Sequence, residues 1–359
     1  MSRPGWARLP TQPLVRHLLL ALVGGGLLFV LTLVVSQYDD LQLAEIGWYA
    51  IAIAGLSVLT GVNGQISLGH GAFMAIGAYS AGLMMEHYDL PLIVPILVAI
   101  ATAGLLGALV GMPATRLKGP YLAGVTLALA LAVGDLPNKF ASVFNGDQGI
   151  IVNPATPPAG VSSNRWLAWI TLFGAVVAMV LLANFLRSRF GRSLRAVRDD
   201  EIAAQASGLN PARLRVLTFA VSAAAAGLAG GLFAIWSGIV SPQSFSLFLS
   251  IQLLAGMVIG GSGTLLGAWW GALALVYVPQ WTQSMSGHFN LSSGVSANLQ
   301  NAVFGLLIVV IMMVAPSGIQ GWLRSSWSLL GRLFERRRSQ GTEAVPTLAP
   351  TPSAERTSP

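Results

Sequence analysis

Asn63, Gln65, Ser67 and His70 fall within one glycine-rich stretch, Gly61–Gly71, that separates two apolar runs. A second such stretch, Gly260–Gly267, also divides apolar runs, and Gln252 stands shortly before it. Neutral amides and hydroxyls at such places suit one kind of chemistry. Together with backbone groups freed at a helix break, they replace the water around a small solute crossing hydrocarbon. The spacing offers little for making or breaking bonds. The four histidines, His17, His70, His87 and His288, are scattered, and none stands at metal-ligand spacing. His70, the one set in a motif, reads as a structural hydrogen-bonding residue rather than a proton relay. Nucleotide hydrolysis requires a glycine-rich loop ending in Gly-Lys-Ser/Thr. Here the only lysines are Lys118, followed by Gly119, and Lys139, followed by Phe140. Gly261 and Gly263 begin a dinucleotide-like pattern that Leu266 breaks. No cofactor or metal is expected on this chain, and no catalytic pair presents itself. Glu45, Glu86 and Asp135 all fall near the ends of apolar runs, which leaves no mid-membrane charge of the kind ion-coupled carriers use.

The charge that the apolar runs lack is gathered in Arg187–Arg215, which holds seven arginines and three acids. Such a segment must sit in water or against a partner. Its grammar is helical. Arg192, Arg195 and Arg198 recur three apart along one side, and Arg195 can reach Asp199 four residues on. Asp199 or Asp200 caps a short helix running from Glu201 through Ala203, Ala204 and Ala206. Gly208 stops it, Asn210 caps the next helix, and Pro211 takes that helix's first position. A short, small-residue helix set across two helix ends has the form of a plug for a cleft in another protein.

These features sit in a chain of 359 residues that is 54% hydrophobic and only 9% charged, with no cysteine and a mean hydropathy of +0.69. Soluble proteins carry about 25% charged residues, so the expectation is an all-α, polytopic membrane bundle with two glycine-broken regions. About ten crossings are expected, near 17–36, 46–60, 68–85, 91–113, 120–137, 166–186, 215–237, 247–260, 264–281 and 299–315. The run from Leu18 to Val35 is long enough to span and lacks a convincing cleavage site, so it reads as the first crossing rather than a signal peptide. With both termini cytoplasmic, all 20 basic residues except Lys139 and Arg165 lie inside, and the positive-inside rule selects that orientation. The net charge of +7 is thus a topology signal. Nucleic acid is not expected, because no soluble basic face with interleaved aromatics exists.

Two of the segments, 46–60 and 247–260, are shorter than the roughly 20 residues a spanning helix needs, and each runs into a glycine-rich break. A translocation path along Asn63, Gly64, Gln65, Ser67, Gly69, His70, Gln252, Gly260, Gly261 and Gly263 follows from that pattern. Glycines also line helix–helix contacts, and close packing explains Gly260–Gly267 as well as a path does. The two short segments run in the same direction, so no inverted repeat is inferred.

Several stretches resemble a known family. Glu201-Ile202-Ala203-Ala204-Gln205-Ala206-Ser207-Gly208 is similar to the Glu-Ala-Ala…Gly coupling loop of ABC importer permeases. Gly191–Asp200 before it, Leu59–Phe73 with Gly77-Ala78-Tyr79, and Lys118–Ala123 with Thr126-Leu127-Ala128 resemble branched-chain amino acid permeases of the LivM type. Asn145–Ile150, Ser241-Pro242, Ser250-Ile251 and Gly260–Gly267 extend the match, in order, across roughly residues 40 to 318. The resemblance implies a transport subunit, not an enzyme, paired with a second, related permease. It also implies two cytoplasmic ABC ATPases that bind the ATP, and an extracytoplasmic solute-binding protein. Residues implied to couple to the ATPase are Arg192, Arg195, Arg198, Asp200, Glu201, Ala203, Ala204 and Gly208, with the arginines on the ATPase or on anionic lipid. The implied cargo is a branched-chain amino acid. Related permeases move urea, short amides or sugars, and a self-sufficient carrier remains the rival reading.

The remaining segments follow from composition. Residues 1–16 form a basic cytoplasmic N-terminus, 17–318 the permease domain and 319–338 a basic interfacial segment with Trp322, Arg324 and Trp327. The Pro-, Ser- and Thr-rich stretch 339–359 is expected to be disordered.

Overall fold

The computed structural model of the chain describes residues 13–288 and 302–326, apart from residues 89, 118, 154, 155, 304, 307, 311, 312 and 316. The N-terminal arginines Arg3 and Arg8, Trp327, Arg332, Arg336–Arg338 and the 339–359 stretch lie outside the described residues, as does part of the expected crossing at 299–315.

The protein is a membrane helical bundle. Its helices in chain order are α1 (Pro13–Val34), α2 (Gln37–Leu56), α3 (His70–His87), α4 (Ile93–Ala114), α5 (Pro120–Lys139), α6 (Ala141–Phe144), α7 (Ser163–Arg187), α8 (Arg189–Asp199), α9 (Glu201–Ala206), α10 (Pro211–Ser237), α11 (Leu247–Gly260) and α12 (Leu265–His288). Among the described residues, five helices are long and apolar enough to cross a membrane: Gln37–Val62, Ile93–Ala114, Tyr121–Lys139, Ser163–Arg187 and Pro211–Ser237. The described helical pieces between 302 and 314 fall where the last crossing is expected.

α2 forms the centre. From Ile46 onward it is apolar on every side, as a helix enclosed by others must be, and it buries nearly all of its length from Leu43 onward. α7, α10, α11 and α12 all pack on it. Its start corrects the sequence reading. Ser36 and Asp39 form a capping box, with the Asp39 amide donating to Ser36 Oγ and the Asp39 carboxylate accepting from Ser36 in return. The helix therefore begins at Gln37 and runs on through a π-helical turn, Ser57–Val62. The expected short segment 46–60 is in fact the inner part of a 26-residue span. Arg165 of α7 donates to Asp40 at 3.3 Å, which joins the first turns of α2 and α7 and sets the two helices parallel. α11, with 14 residues, is as short as its apolar run implies.

Close approach of backbones holds the rest. α4 buries Ala99, Ala103, Gly107 and Gly111, one small residue per turn, against α10. Its Leu97, Leu105, Leu109 and Met112 stay exposed. Between α3 and α10 there is no room for a side chain: a Cβ at Gly230 would overlap the Met74 carbonyl, and one at Gly77 the Gly227 backbone. At the end of the bundle marked by Asp40 and Arg165, a two-residue ladder pairs Ile150 with Val240 and Ile151 with Ile239. It ties the α6–α7 connection (residues 145–162) to the elbow between α10 and α11.

Candidate coupling site and translocation path

α7 ends at Arg187, and Ser188 caps α8 by accepting from the Phe190 amide at 3.2 Å. α8 buries Gly191, Leu194 and Val197 on one side and carries its arginines on the other. Those arginines turn back onto this chain. Arg192 donates to the Arg187 carbonyl and Arg195 to the Leu186 carbonyl, each at 3.1 Å. Both carbonyls belong to the last turn of α7, where no helical N–H remains to meet them. Arg195 thus engages the helix end rather than Asp199. Arg198 donates to the Gly61 carbonyl in the π-helical turn that ends α2. Within this chain, Arg195 and Arg198 therefore staple α8 to the bundle.

α9 follows directly. Asp200 caps it, its carboxylate accepting from the Ile202 and Ala203 amides at 2.9 and 3.0 Å. Gly208, at φ +81, reverses the chain, and Asn210 caps α10 through the Arg213 amide at 3.1 Å. Ala204 is buried against the bundle, while Ala203 is exposed and Ile202 is 81% exposed. Glu201 is fixed from below by Arg215 of α10 at 3.0 Å, and Arg215 also donates to the Thr115 carbonyl at the end of α4. Arg215 therefore joins α9, α10 and α4 at one point. Sequence spacing does not reveal it, because its partners lie on other helices. Reversing its charge in Arg215→Glu is expected to destabilise this junction by about 1–3 kcal/mol, read as a lower midpoint of thermal unfolding. The exchange Glu201→Arg with Arg215→Glu is expected to recover much of the loss, as read by the same midpoint.

The first glycine break lies against α8. Gly61 abuts Gly263, so the two glycine-rich stretches, far apart in sequence, meet there. Arg198 lies over Gly64, whose φ of +75 turns the chain out of α2. Asn63 donates to the Gln65 side chain at 2.6 Å, and both are buried. The Leu68 amide donates to Thr126 Oγ1 of α5, and the Gly71 amide to Ser250 Oγ of α11, each at 3.0 Å. Ser67 is fully buried, its hydroxyl accepting from the Gly69 amide. His70 is buried at the start of α3 with its ring facing the α2 backbone at Ala52 and Gly55. Gly260 packs on Gly267 and Gly271 between α11 and α12, and Gly261, at φ +113, lies against Ser317. Gln252 is elsewhere, toward the other end of α11, beside Glu45. The ten residues expected to share one path therefore divide into an anchored loop under α8, a glycine contact between helices, and one glutamine in a separate cavity.

Residues 41–312 match the sequence profile of the family described as "Branched-chain amino acid transport system / permease component". The chain belongs to this family. It is 32% identical to the high-affinity branched-chain amino acid transport system permease protein LivM of Escherichia coli K12, over 76% of this chain and 67% of that protein. It is 26% identical to the corresponding LivH protein of Salmonella typhimurium LT2, over 76% of this chain and 91% of that protein. A solved chain, PsaBC from Streptococcus pneumoniae in complex with Fab, aligns over 80% of this chain at 16% identity with a TM-score of 0.41, a likeness too distant to support an inference.

In this permease the sequence reading missed three groups. Thr126 and Ser250 stand in the motifs that carry the family resemblance, yet their role as anchors of the Gly61–Gly71 loop is a tertiary fact. Glu45 was placed at a helix end, whereas it lies in the third turn of α2, inside the bundle. The Ser36-x-x-Asp39 spacing was the available signal, since it fixes the helix start well before Glu45.

Proposed function

We propose that this chain is a permease subunit of a binding-protein-dependent ABC importer for branched-chain amino acids. The α8–α9 end faces the cytosol, with both termini on that side. Two separate ATPase subunits bind ATP and dock on α9. A second, related permease completes the pore, and an extracytoplasmic receptor delivers the amino acid. The observation that carries this reading is the continuity from α9 to the break. Ile202 and Ala203 present an exposed docking face, Ala204 and Glu201 root it, and Arg198, just before it in sequence, grips the Gly61 turn where the two glycine-rich stretches meet. A push on α9 reaches that junction through one short helix, which is what alternating access driven from outside the chain requires.

Asn63, Gly64, Gln65, Ser67, Gly69 and Gly263 form the inner gate in this reading, and movement of α8 opens or closes it. Gly260 and Gly261 provide the rigid α11–α12 contact on which it pivots. The experiment is leucine uptake into proteoliposomes holding this chain, its partner permease, the ATPases and the receptor. Uptake is expected only when ATPases and ATP are both supplied. Uptake by the permease chains alone would establish the self-sufficient carrier instead, and uptake of urea or short amides in preference to leucine would reassign the cargo.

A further inference from the structure

At the end of the bundle away from α8 and α9, the elbow between α10 and α11 borders an open cavity of about 370 Å³. That volume lies within the range of small-molecule sites, about 300–1,000 Å³. α2 contributes Glu45, Trp48 and Tyr49, α10 contributes Trp236, and the elbow and α11 contribute Gln243 and Gln252. The aromatic wall is built. Trp48 meets Phe233 edge-on at 5.3 Å and Trp236 at 5.8 Å, and Trp236 is held by its indole N–H donating to the Leu41 carbonyl at 3.1 Å. Gln243 is held from the other side by Asp147 at 3.1 Å.

Glu45 is the group without an evident purpose. It is half-buried among these rings, and among the described residues no hydrogen bond or ion pair holds its carboxylate. The Gln252 amide likewise has no partner among them, and the Trp48 indole N–H is buried without one. A charge withdrawn from water is costly unless a counterion meets it, and the faces of tryptophan attract a cation directly. A carboxylate in a cavity lined by the accessible Trp236 indole and an unspent Gln252 amide is complementary to an organic ammonium that also bears a carboxylate. The geometry points to this cavity as a holding station for the transported amino acid, in which Glu45 and the partly exposed ring of Trp236 receive its ammonium group and Gln252 its carboxylate, with Trp48 buried behind them. The inference rests on the amino acid import reading above and adds a specificity-determining residue to it. Cargo without an amino group would make no use of Glu45.

The test uses the assembled transporter. In proteoliposomes, Glu45→Gln is expected to lower leucine uptake at least about tenfold while complex formation and ATP hydrolysis persist, with Glu45→Asp recovering part. In parallel, 3-methylbutylammonium, which has the amine but no carboxylate, is titrated onto the detergent-solubilised complex while tryptophan emission is followed. A saturable change in the unmodified complex that Glu45→Gln abolishes is expected. No response to the amine in the unmodified complex, or uptake and response unchanged in Glu45→Gln, would overturn the proposal. If Glu45→Gln does not assemble, Trp236→Phe takes its place, and an unaltered amine affinity there is likewise contrary. A complex that binds the amine through Glu45 yet imports no leucine would support the cavity and refute the import reading, so the two fail separately.

Discussion

Arg198→Glu is expected to cut ATP-driven uptake by at least about tenfold while the complex still assembles and hydrolyses ATP. The guanidinium donates to the Gly61 carbonyl, at the turn where α2 ends and Gly263 abuts. A hydrogen bond from a charged donor contributes about 1.5–3 kcal/mol, and tenfold in rate corresponds to about 1.4. The substitution removes the donor and sets a carboxylate against the oxygen's lone pairs, so the loss exceeds that of a simple deletion. Because α8 keeps its buried Leu194 and Val197, the helix itself is expected to stay docked. The distinguishing readout is the ratio of solute moved to ATP hydrolysed. Arg198→Lys, which keeps the charge and a donor, is expected to fall between the two. A ratio unchanged in Arg198→Glu would remove this contact from the coupling route.

Gly230→Val is expected to act differently, by preventing the bundle from forming. An added Cβ there would overlap the Met74 carbonyl, and the Ala78 amide lies close by, so what must give way is helix backbone rather than a side-chain tip. Overpacking of a core costs about 1–3 kcal/mol when side chains can adjust, and more when they cannot. α10 contacts α2, α3 and α4 together, so displacing it from α3 disturbs the whole centre. The expected result is little or no folded permease by size-exclusion profile and thermal unfolding. Gly124→Ala is the matched control. Its Cβ meets no atom within 4 Å, and alanine is favoured over glycine in a helix by roughly 1 kcal/mol.

The sequence exposed the local parts of this architecture and concealed the tertiary ones, for a physical reason. Capping is a short-range code, so Gly208, Asn210 and Pro211 could be assigned to the α9–α10 turn from spacing and the α9 cap narrowed to Asp199 or Asp200, of which the structure selects Asp200. Hydropathy alone starts the second crossing at residue 46, because the acids Asp39, Asp40 and Glu45 break the apolar run, whereas the Ser36–Asp39 capping box starts the helix at Gln37. Arginine partners were beyond reach, since long side chains choose among acceptors that only the fold brings near. Arg195 found the Leu186 carbonyl and Arg198 the Gly61 carbonyl, and neither acceptor has a side-chain signature. The glycine stretches were recognisable as special, but whether they opened a path or closed a contact depended on their neighbour. At Gly61 and Gly263 the neighbour is the other stretch.

The central claim is that α9 is the place where an external ATPase engages this permease. The chain contains no cysteine, so Ile202→Cys introduces a single thiol at an exposed point of that helix. In membrane vesicles of known sidedness, bifunctional maleimide crosslinking is the direct measurement. The account expects a crosslink from Cys at 202 to the ATPase subunit, changing in yield when ATP is bound, with the thiol labelled only from the cytosolic side. Labelling from the extracytoplasmic side, or no crosslink in vesicles that import leucine normally, would contradict it.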